Sequence, residues 1–209
     1  MNKPEKERAD PFRMSRKTWI WAALFIAMLP LVFLGDEPIR IVLKDLRVQA
    51  VFNLMHVLTW IGRGWVLMVE ASVLFGIGWR WRNPKLKQAG ARGLIAVATA
   101  GLAVQTIKHL AGRPRPKLLD QGVFDWGPSF ASGHDSFPSG HTISAFAMAA
   151  VLSSIYPAGR WLWYSLAVLA GFTRLYIGAH FASDVFVGAV LGILIGIWAS
   201  RLKLEWLKS

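Results

Sequence analysis

The chain has 209 residues, a net charge of +12, a hydrophobic share of 54% and a mean hydropathy of +0.39. That length allows one domain and little more, and the apolar share is too high for an ordinary soluble domain of this size. There is no cysteine, which excludes disulfides, thiolate metal ligands and cysteine nucleophiles. The basic charge invites a nucleic-acid reading. However, the Lys and Arg residues sit between apolar runs instead of gathering on one face. That placement fits a membrane protein drawn to anionic headgroups, so the expected partners are the bilayer and its lipids, with no nucleic acid. Many of the eleven Trp lie near the ends of apolar runs, where aromatic belts form.

Residues 1–17 are polar and are expected to form a cytoplasmic tail, poorly ordered, ahead of a single membrane domain over residues 18–209. The first apolar run, residues 18–35, is long and is followed by Asp36-Glu37-Pro38 without a small-residue cleavage pattern. It reads as a retained first transmembrane helix and not a signal peptide. In residues 39–50, Ile39, Val42, Leu43 and Leu46 recur at helical spacing with Arg40, Lys44 and Arg47 between them. This pattern predicts an amphipathic helix lying in the interface.

A short run over residues 51–61 is broken by Gly62-Arg63-Gly64, and a second spanning helix is predicted over 65–79, extensible on its N-terminal side. Residues 80–92 form a basic connector. The third spanning helix is predicted from residue 93 to about 110, the fourth over 141–156, the fifth over 161–176 and the sixth over 184–201. Residues 111–138 are the longest polar connection, rich in Gly, Pro, Ser and Asp, and a loop of that length in a compact domain usually has a function. The predicted fold is therefore all-α, a bundle of six transmembrane helices with one additional interfacial helix. With the N-terminus inside, the inner segments hold fifteen of the 24 Lys and Arg, which favours that orientation.

Three polar segments then fall together at the outer face. Lys108 and Arg115-Pro116 end the third helix. Pro138-Ser139-Gly140-His141 opens the fourth. Arg174, His180 and Asp184 run from the fifth helix into the sixth. Three fixed cations at a membrane surface need an anionic partner, and phosphate matches the forked donors of Arg and the point charge of Lys. Backbone N–H groups of the Pro138-Ser139-Gly140 turn would point at an anion there, with Ser139 adding a hydroxyl and Gly140 allowing close approach. His180 and Asp184 are four apart and would share one helix face. A carboxylate beside one ring nitrogen leaves the other free to attack phosphorus, giving a phosphohistidine. His141, beside the turn, is placed to protonate the leaving alkoxide and then deprotonate water. No carboxylate cluster suited to a metal is visible, so no metal or other cofactor is expected.

Taken in order, Lys108-x6-Arg115-Pro116, Pro138-Ser139-Gly140-His141 and Thr173-Arg174-x5-His180-x3-Asp184 resemble the type 2 phosphatidic acid phosphatase family, which is related to the vanadium haloperoxidases. The resemblance spans residues 108–184, about a third of the chain, plus the six-helix layout. It implies a lipid phosphatase in which His180 is the nucleophile, Asp184 its orienting partner and His141 the acid and base. It also implies that Lys108, Arg115, Ser139, Gly140 and Arg174 bind phosphate. The substrates it implies are phosphatidylglycerol phosphate, phosphatidate, undecaprenyl diphosphate or a lipid A phosphate, handled at the periplasmic face of a bacterial inner membrane. One departure is Thr173, where the family usually has Ser. Thr keeps the hydroxyl, but its methyl could crowd the pocket.

The rival readings are a lipid phosphotransferase using the same intermediate, and a non-enzymatic transporter or anion-binding protein. Against the transporter, the charges cluster at one face and no inverted repeat is evident. Arg113 lies off the family spacing and either contacts substrate or faces water. Glu70 is read as a protonated or paired structural residue in preference to a proton or substrate contact, His56 and His109 as interface or packing residues, and His134 and Asp135 as ordinary loop residues in preference to contacts with the headgroup.

Overall fold

A computed structural model describes residues 16–204; the expected cytoplasmic tail falls almost entirely outside the described residues. The regular elements among them are helical: α1 (Arg16–Leu34), α2 (Asp36–Asp45), α3 (Gln49–Leu58) running into a short 3-10 turn (Thr59–Gly62), α4 (Gly64–Arg80), α5 (Pro84–Ala111), α6 (Pro116–Leu119), α7 (Gly140–Ile155), α8 (Arg160–Tyr176) and α9 (Ala182–Ser200).

The segment Pro84–Leu119 and the helix Ala182–Ser200 are each long and apolar enough to cross a bilayer. The helical stretches Gln49–Gly62 and Gly64–Arg80 meet that test only together, and they are bent by 50° where Gly62-Arg63-Gly64 breaks the run. Ala23–Leu34 and Gly140–Ile155 are shorter apolar helical stretches.

Two boundaries differ from the sequence reading. The basic connector is largely helical, because α5 begins at Pro84 and is 28 residues long, about 42 Å. Asn83 caps it, its side-chain oxygen accepting from the N–H groups of Lys85 and Leu86 at 3.0 and 3.1 Å. Pro84 follows at a position where its missing N–H costs nothing. The amphipathic segment divides into α2, which starts at Asp36, and α3, which starts at Gln49, with the break at Leu46–Val48 held by Tyr176 Oη accepting from Val48 N–H at 3.0 Å.

The helix α7 is the centre of the molecule. It is buried continuously from Thr142 to Val151, and α5, α8 and α9 pack around it. Its side chains there are mostly small, so neighbouring backbones come close. On α9, Gly188, Gly192 and Gly196 form a stripe at four-residue spacing that faces α7. A Cβ on Gly192 would stand 2.4 Å from the Ile143 carbonyl oxygen, and one on Gly196 the same distance from that of Ala147. Two apolar clusters fill the rest. Leu67, Ala71, Val97, Phe146, Met148 and Ala170 join α4, α5, α7 and α8. Ala96, Ala100, Val104, Ile143, Val151 and Ala199 join α5, α7 and α9.

Candidate active site

The loop between α6 and α7 is laid back against the end of α5 by backbone hydrogen bonds. Gly127 N–H donates to Ala111 O, Ser129 N–H to His109 O, Ser136 N–H to Arg113 O, and Arg115 N–H to Gly133 O, at 2.8 to 3.1 Å. Gly112 makes the turn possible. It ends α5 in the left-handed region (φ 52°), and a Cβ there would collide with the Gly127 carbonyl at 1.6 Å. Lys108, Arg113, Arg115 and residues 134–139 are thereby gathered above the start of α7.

Lys108 occupies the last turn of α5 and is largely buried. Arg115 sits just ahead of α6. Both are paired with Asp135: Arg115 donates through Nε and Nη2 to its two carboxylate oxygens at 2.8 and 2.7 Å, and Lys108 Nζ lies 3.4 Å away. Burial pushes the Asp135 carboxyl up, but these hydrogen bonds and charges outweigh it and hold the group at about 2. Asp135 is therefore a counter-ion of two predicted phosphate ligands, and not an ordinary loop residue.

Ser139 is the N-cap of α7 and is fully buried. Its N–H donates to Asp184 O at 3.0 Å, which ties the start of α7 to the start of α9. Its Oγ accepts from Thr142 Oγ1 at 2.9 Å, leaving its own proton available to a ligand. The Ser139 N–H is thus spent, and Gly140 and His141 carry the unpaired N–H groups that a helix start presents. His141 backs onto the 3-10 turn, where a Cβ on Gly62 would lie 3.2 Å from His141 Cβ.

Arg174, in the last turn of α8, donates through Nη1 to Thr59 Oγ1 at 2.9 Å, while its Nε is buried without a hydrogen-bond partner. The chain then turns back through Gly178, and the N–H groups of Ala179 and His180 donate to the Arg174 carbonyl at 3.0 and 3.3 Å. This places His180 over Arg174. Thr173 is fully buried, and its hydroxyl donates to Ala170 O at 2.7 Å, so it serves its own helix and not the pocket.

His180 is not on a helix with Asp184, as the spacing suggested. It lies in the turn before α9, and Asp184 is in the first turn of that helix. The two still meet because the Asp184 carboxylate reaches back to cap the helix, Oδ2 accepting from Phe181 N–H at 2.9 Å. His180 Nδ1 stands 3.4 Å from that same oxygen, beyond the usual range of a made hydrogen bond. Burial of His180 pushes its imidazole below the ordinary histidine value against the pull of Asp184, which favours the neutral ring. His141 is close enough to Arg174, His180, Arg63 and Lys108 to feel their charges, and its Nε2 is buried without a partner. The outcome is a cluster of two imidazoles, three predicted phosphate cations and a helix start.

Several residues at the site carried no sequence signal that was used. Arg113 neither faces water nor lies open to substrate; it is buried against Asp184, Asp36 and Ser183. Ser136 Oγ donates to Asp184 Oδ2 at 2.6 Å. Elsewhere, His109 stacks on Phe130 and His56 meets Phe52 edge to face, as packing residues. Glu70 lines an apolar cavity of about 120 Å³ with Leu67, Met148 and Trp163, apart from the three motif segments.

Residues 90–207 match the PAP2 superfamily, and the chain belongs to that family. Among curated proteins it is similar to the lipid A 1-phosphatase of Rhizobium johnstonii, 36% identical over 115 residues, covering 54% of this chain and 46% of that protein. It is also similar to the lipid A 1-phosphatase of Porphyromonas gingivalis, 33% identical over 144 residues, covering 65% of this chain and 29% of that one. The chain thus spans about half the length, or less, of these relatives. Its fold is that of the PAP2 type phosphatidylglycerolphosphate phosphatase of Bacillus subtilis, with a TM-score of 0.67 over 88% of this chain and 94% of that one at 23% identity. Aquifex aeolicus LpxE aligns with a TM-score of 0.58 and 26% identity, over 80% and 95% of the two chains.

Proposed function

We propose that this chain is a membrane lipid phosphatase that hydrolyses a phosphate mono- or diphosphate ester of a lipid through a phosphohistidine on His180. The observation that carries the reading is the convergence of His180, His141, Lys108, Arg115 and Arg174 on one cluster, with the buried Nε2 of His141 and Nε of Arg174 left without protein partners. Unpaired buried polar groups are costly, and a phosphoryl group would satisfy them. Family membership and the relatives' names support the same chemistry.

In the first step His180 Nε2 attacks phosphorus and the phosphorus–oxygen ester bond breaks. The electron pair leaves with the alkoxide oxygen, which takes a proton from His141. In the second step His141 removes a proton from water, the oxygen attacks phosphorus, and the phosphorus–nitrogen bond breaks to release phosphate. Lys108, Arg115 and Arg174 neutralise charge on the equatorial oxygens, with Ser139 Oγ and the N–H groups of Gly140 and His141 as further donors.

The site is assigned to the outer face of six membrane crossings by α1, α4, α5, α7, α8 and α9, with α2 in the interface. Lipid A phosphates are the first substrates to try, given the names of the Rhizobium johnstonii and Porphyromonas gingivalis relatives.

The test is phosphate release by detergent-purified protein from a panel of lipid A, phospholipid and polyprenyl phosphates. We expect release that persists in EDTA and falls by about a thousandfold or more in His180→Ala. Equal release by that variant would overturn the reading.

A further inference from the structure

Arg113 is excluded from the phosphate-binding pattern by its spacing, yet it is one of the most completely engaged side chains near the site. Its Nη1 donates to Asp184 Oδ1 at 2.7 Å and to Ser183 Oγ at 2.6 Å, and its Nη2 donates to Asp36 Oδ2 at 2.7 Å. The guanidinium carbon lies 4.1 Å from the ring centre of Phe181 and 4.7 Å from that of Trp126. These rings cover the pair, so water screens its charges less than it would at the surface.

Asp36 is equally committed. Oδ1 accepts from Ser183 N–H at 2.7 Å and Oδ2 from Ser183 Oγ at 2.6 Å, so the first residue of α2 caps α9. A carboxylate at a helix start is favoured by the helix dipole.

On Asp184, Arg113 takes one oxygen, while Ser136 Oγ and Phe181 N–H take the other. Three donors from separate segments therefore fix the plane of the carboxylate. It presents only the edge that faces His180 Nδ1, 3.4 Å away.

We propose that Asp36 and Arg113 are positioning residues, which hold Asp184 against His180 and balance its charge through the buried chain Asp36–Arg113–Asp184–His180. This rests on the reading of His180 as the nucleophile. The alternation of signs gives the chain its effect. Arg113 weakens the pull of Asp184 on a proton at His180, and Asp36 weakens Arg113 in turn. The other charged or titratable groups near His180 are Arg174 on α8, His141 on α7, Lys108 on α5, and Arg115 with its partner Asp135 in the loops. Apart from His141 and the paired Asp135 these are cations, so Asp184 is the group that draws a proton onto the imidazole, and Arg113 governs how strongly it does so.

The sign follows. Arg113→Gln leaves Asp184 uncompensated, so the His180 imidazole holds its proton to higher pH. Asp36→Asn leaves Arg113 entirely to Asp184, so the imidazole loses its proton at lower pH. Arg113→Lys keeps the charge and should resemble the parent. Each shift should be on the order of one pH unit, the effect of a charge added or removed nearby. A residue that only stabilised the fold would not move the titration in opposite directions.

The experiment is an NMR titration of isotope-labelled histidine in the detergent-solubilised full chain, with the His180 signal assigned by its loss in His180→Asn. The expected order of midpoints is Arg113→Gln above the parent and Asp36→Asn below it. Curves that superimpose, or shift in the same direction, would overturn the proposal. If Arg113→Gln does not fold with two buried carboxylates unpaired, Asp36→Asn alone decides the point. The acidic limb of kcat/KM for phosphate release should move in the same order. A parent protein that releases no phosphate would refute the phosphatase reading, while the titration would still judge this one.

Discussion

A single carboxylate, Asp135, would tune the proposed phosphate site. It occupies the fork of Arg115 and lies within reach of Lys108, so it neutralises two cations that a substrate phosphate would need. Held at about 2, it stays ionised at any pH where the enzyme would work, and the pairing fades only as the pH falls toward that value. Asp135→Asn should therefore lower KM for lipid phosphate by about two- to fivefold, the size of a partly exposed ion pair. Steady-state kinetics checks this, and a raised KM would show that Asp135 serves to orient Arg115. At this scale the sequence makes the groups legible where chemistry dictates spacing. Lys108, Arg115, Ser139, His141, Arg174, His180 and Asp184 are brought together. It is less legible where one side chain answers another across a long loop. Arg113, Asp36, Ser136 and Asp135 are joined through separations of 20 to 77 residues, or 147 for Asp36 and Ser183, which no local pattern carries.

Helices α7 and α9 make a close junction, and the glycine stripe on α9 is its cause. Small residues at four-residue spacing let two helices touch backbone to backbone, the packing that membrane helices favour. Because Ser139 N–H is bonded to Asp184 O at the top of this junction, spacing the helices apart would also separate His141 from His180. Gly192→Leu should cost about 1–3 kcal/mol from overpacking and lower the thermal midpoint of the detergent-solubilised protein. Circular dichroism on heating checks it, and an unchanged midpoint would show that the contact is loose. The stripe is visible in the sequence as Gly188, Gly192 and Gly196. The early start of α5 was signalled too, by Asn83-Pro84, and was masked by the charges that follow. Charged residues mark a loop only when nothing caps a helix ahead of them.

The molecule as a whole presents Leu, Ile, Val and Trp outward along its helices, with Trp60, Trp65, Trp79, Trp81, Trp161 and Trp198 exposed near helix ends. That is the surface expected of a protein embedded in lipid, with rings at the headgroup levels. The site lies at the end of the bundle that holds the α6–α7 loop, and the connection at Asn83 lies at the other. The natural absence of cysteine makes the orientation testable with single substitutions. In sealed right-side-out vesicles, a membrane-impermeant maleimide should label Lys117→Cys at once and Lys85→Cys only after permeabilisation. The reverse pattern would place the site on the inner face. The all-helical class was legible from hydropathy alone. The number of crossings was less so, because several helices are shorter than a bilayer is thick and α3 and α4 meet at an angle.

The central claim is the phosphohistidine, and the most direct measurement is rapid acid-free quenching of the protein with a lipid labelled in its phosphate. A transient, acid-labile and base-stable label is expected on the chain and absent from His180→Ala. Turnover without such a label, or a label that persists in His180→Ala, would contradict it.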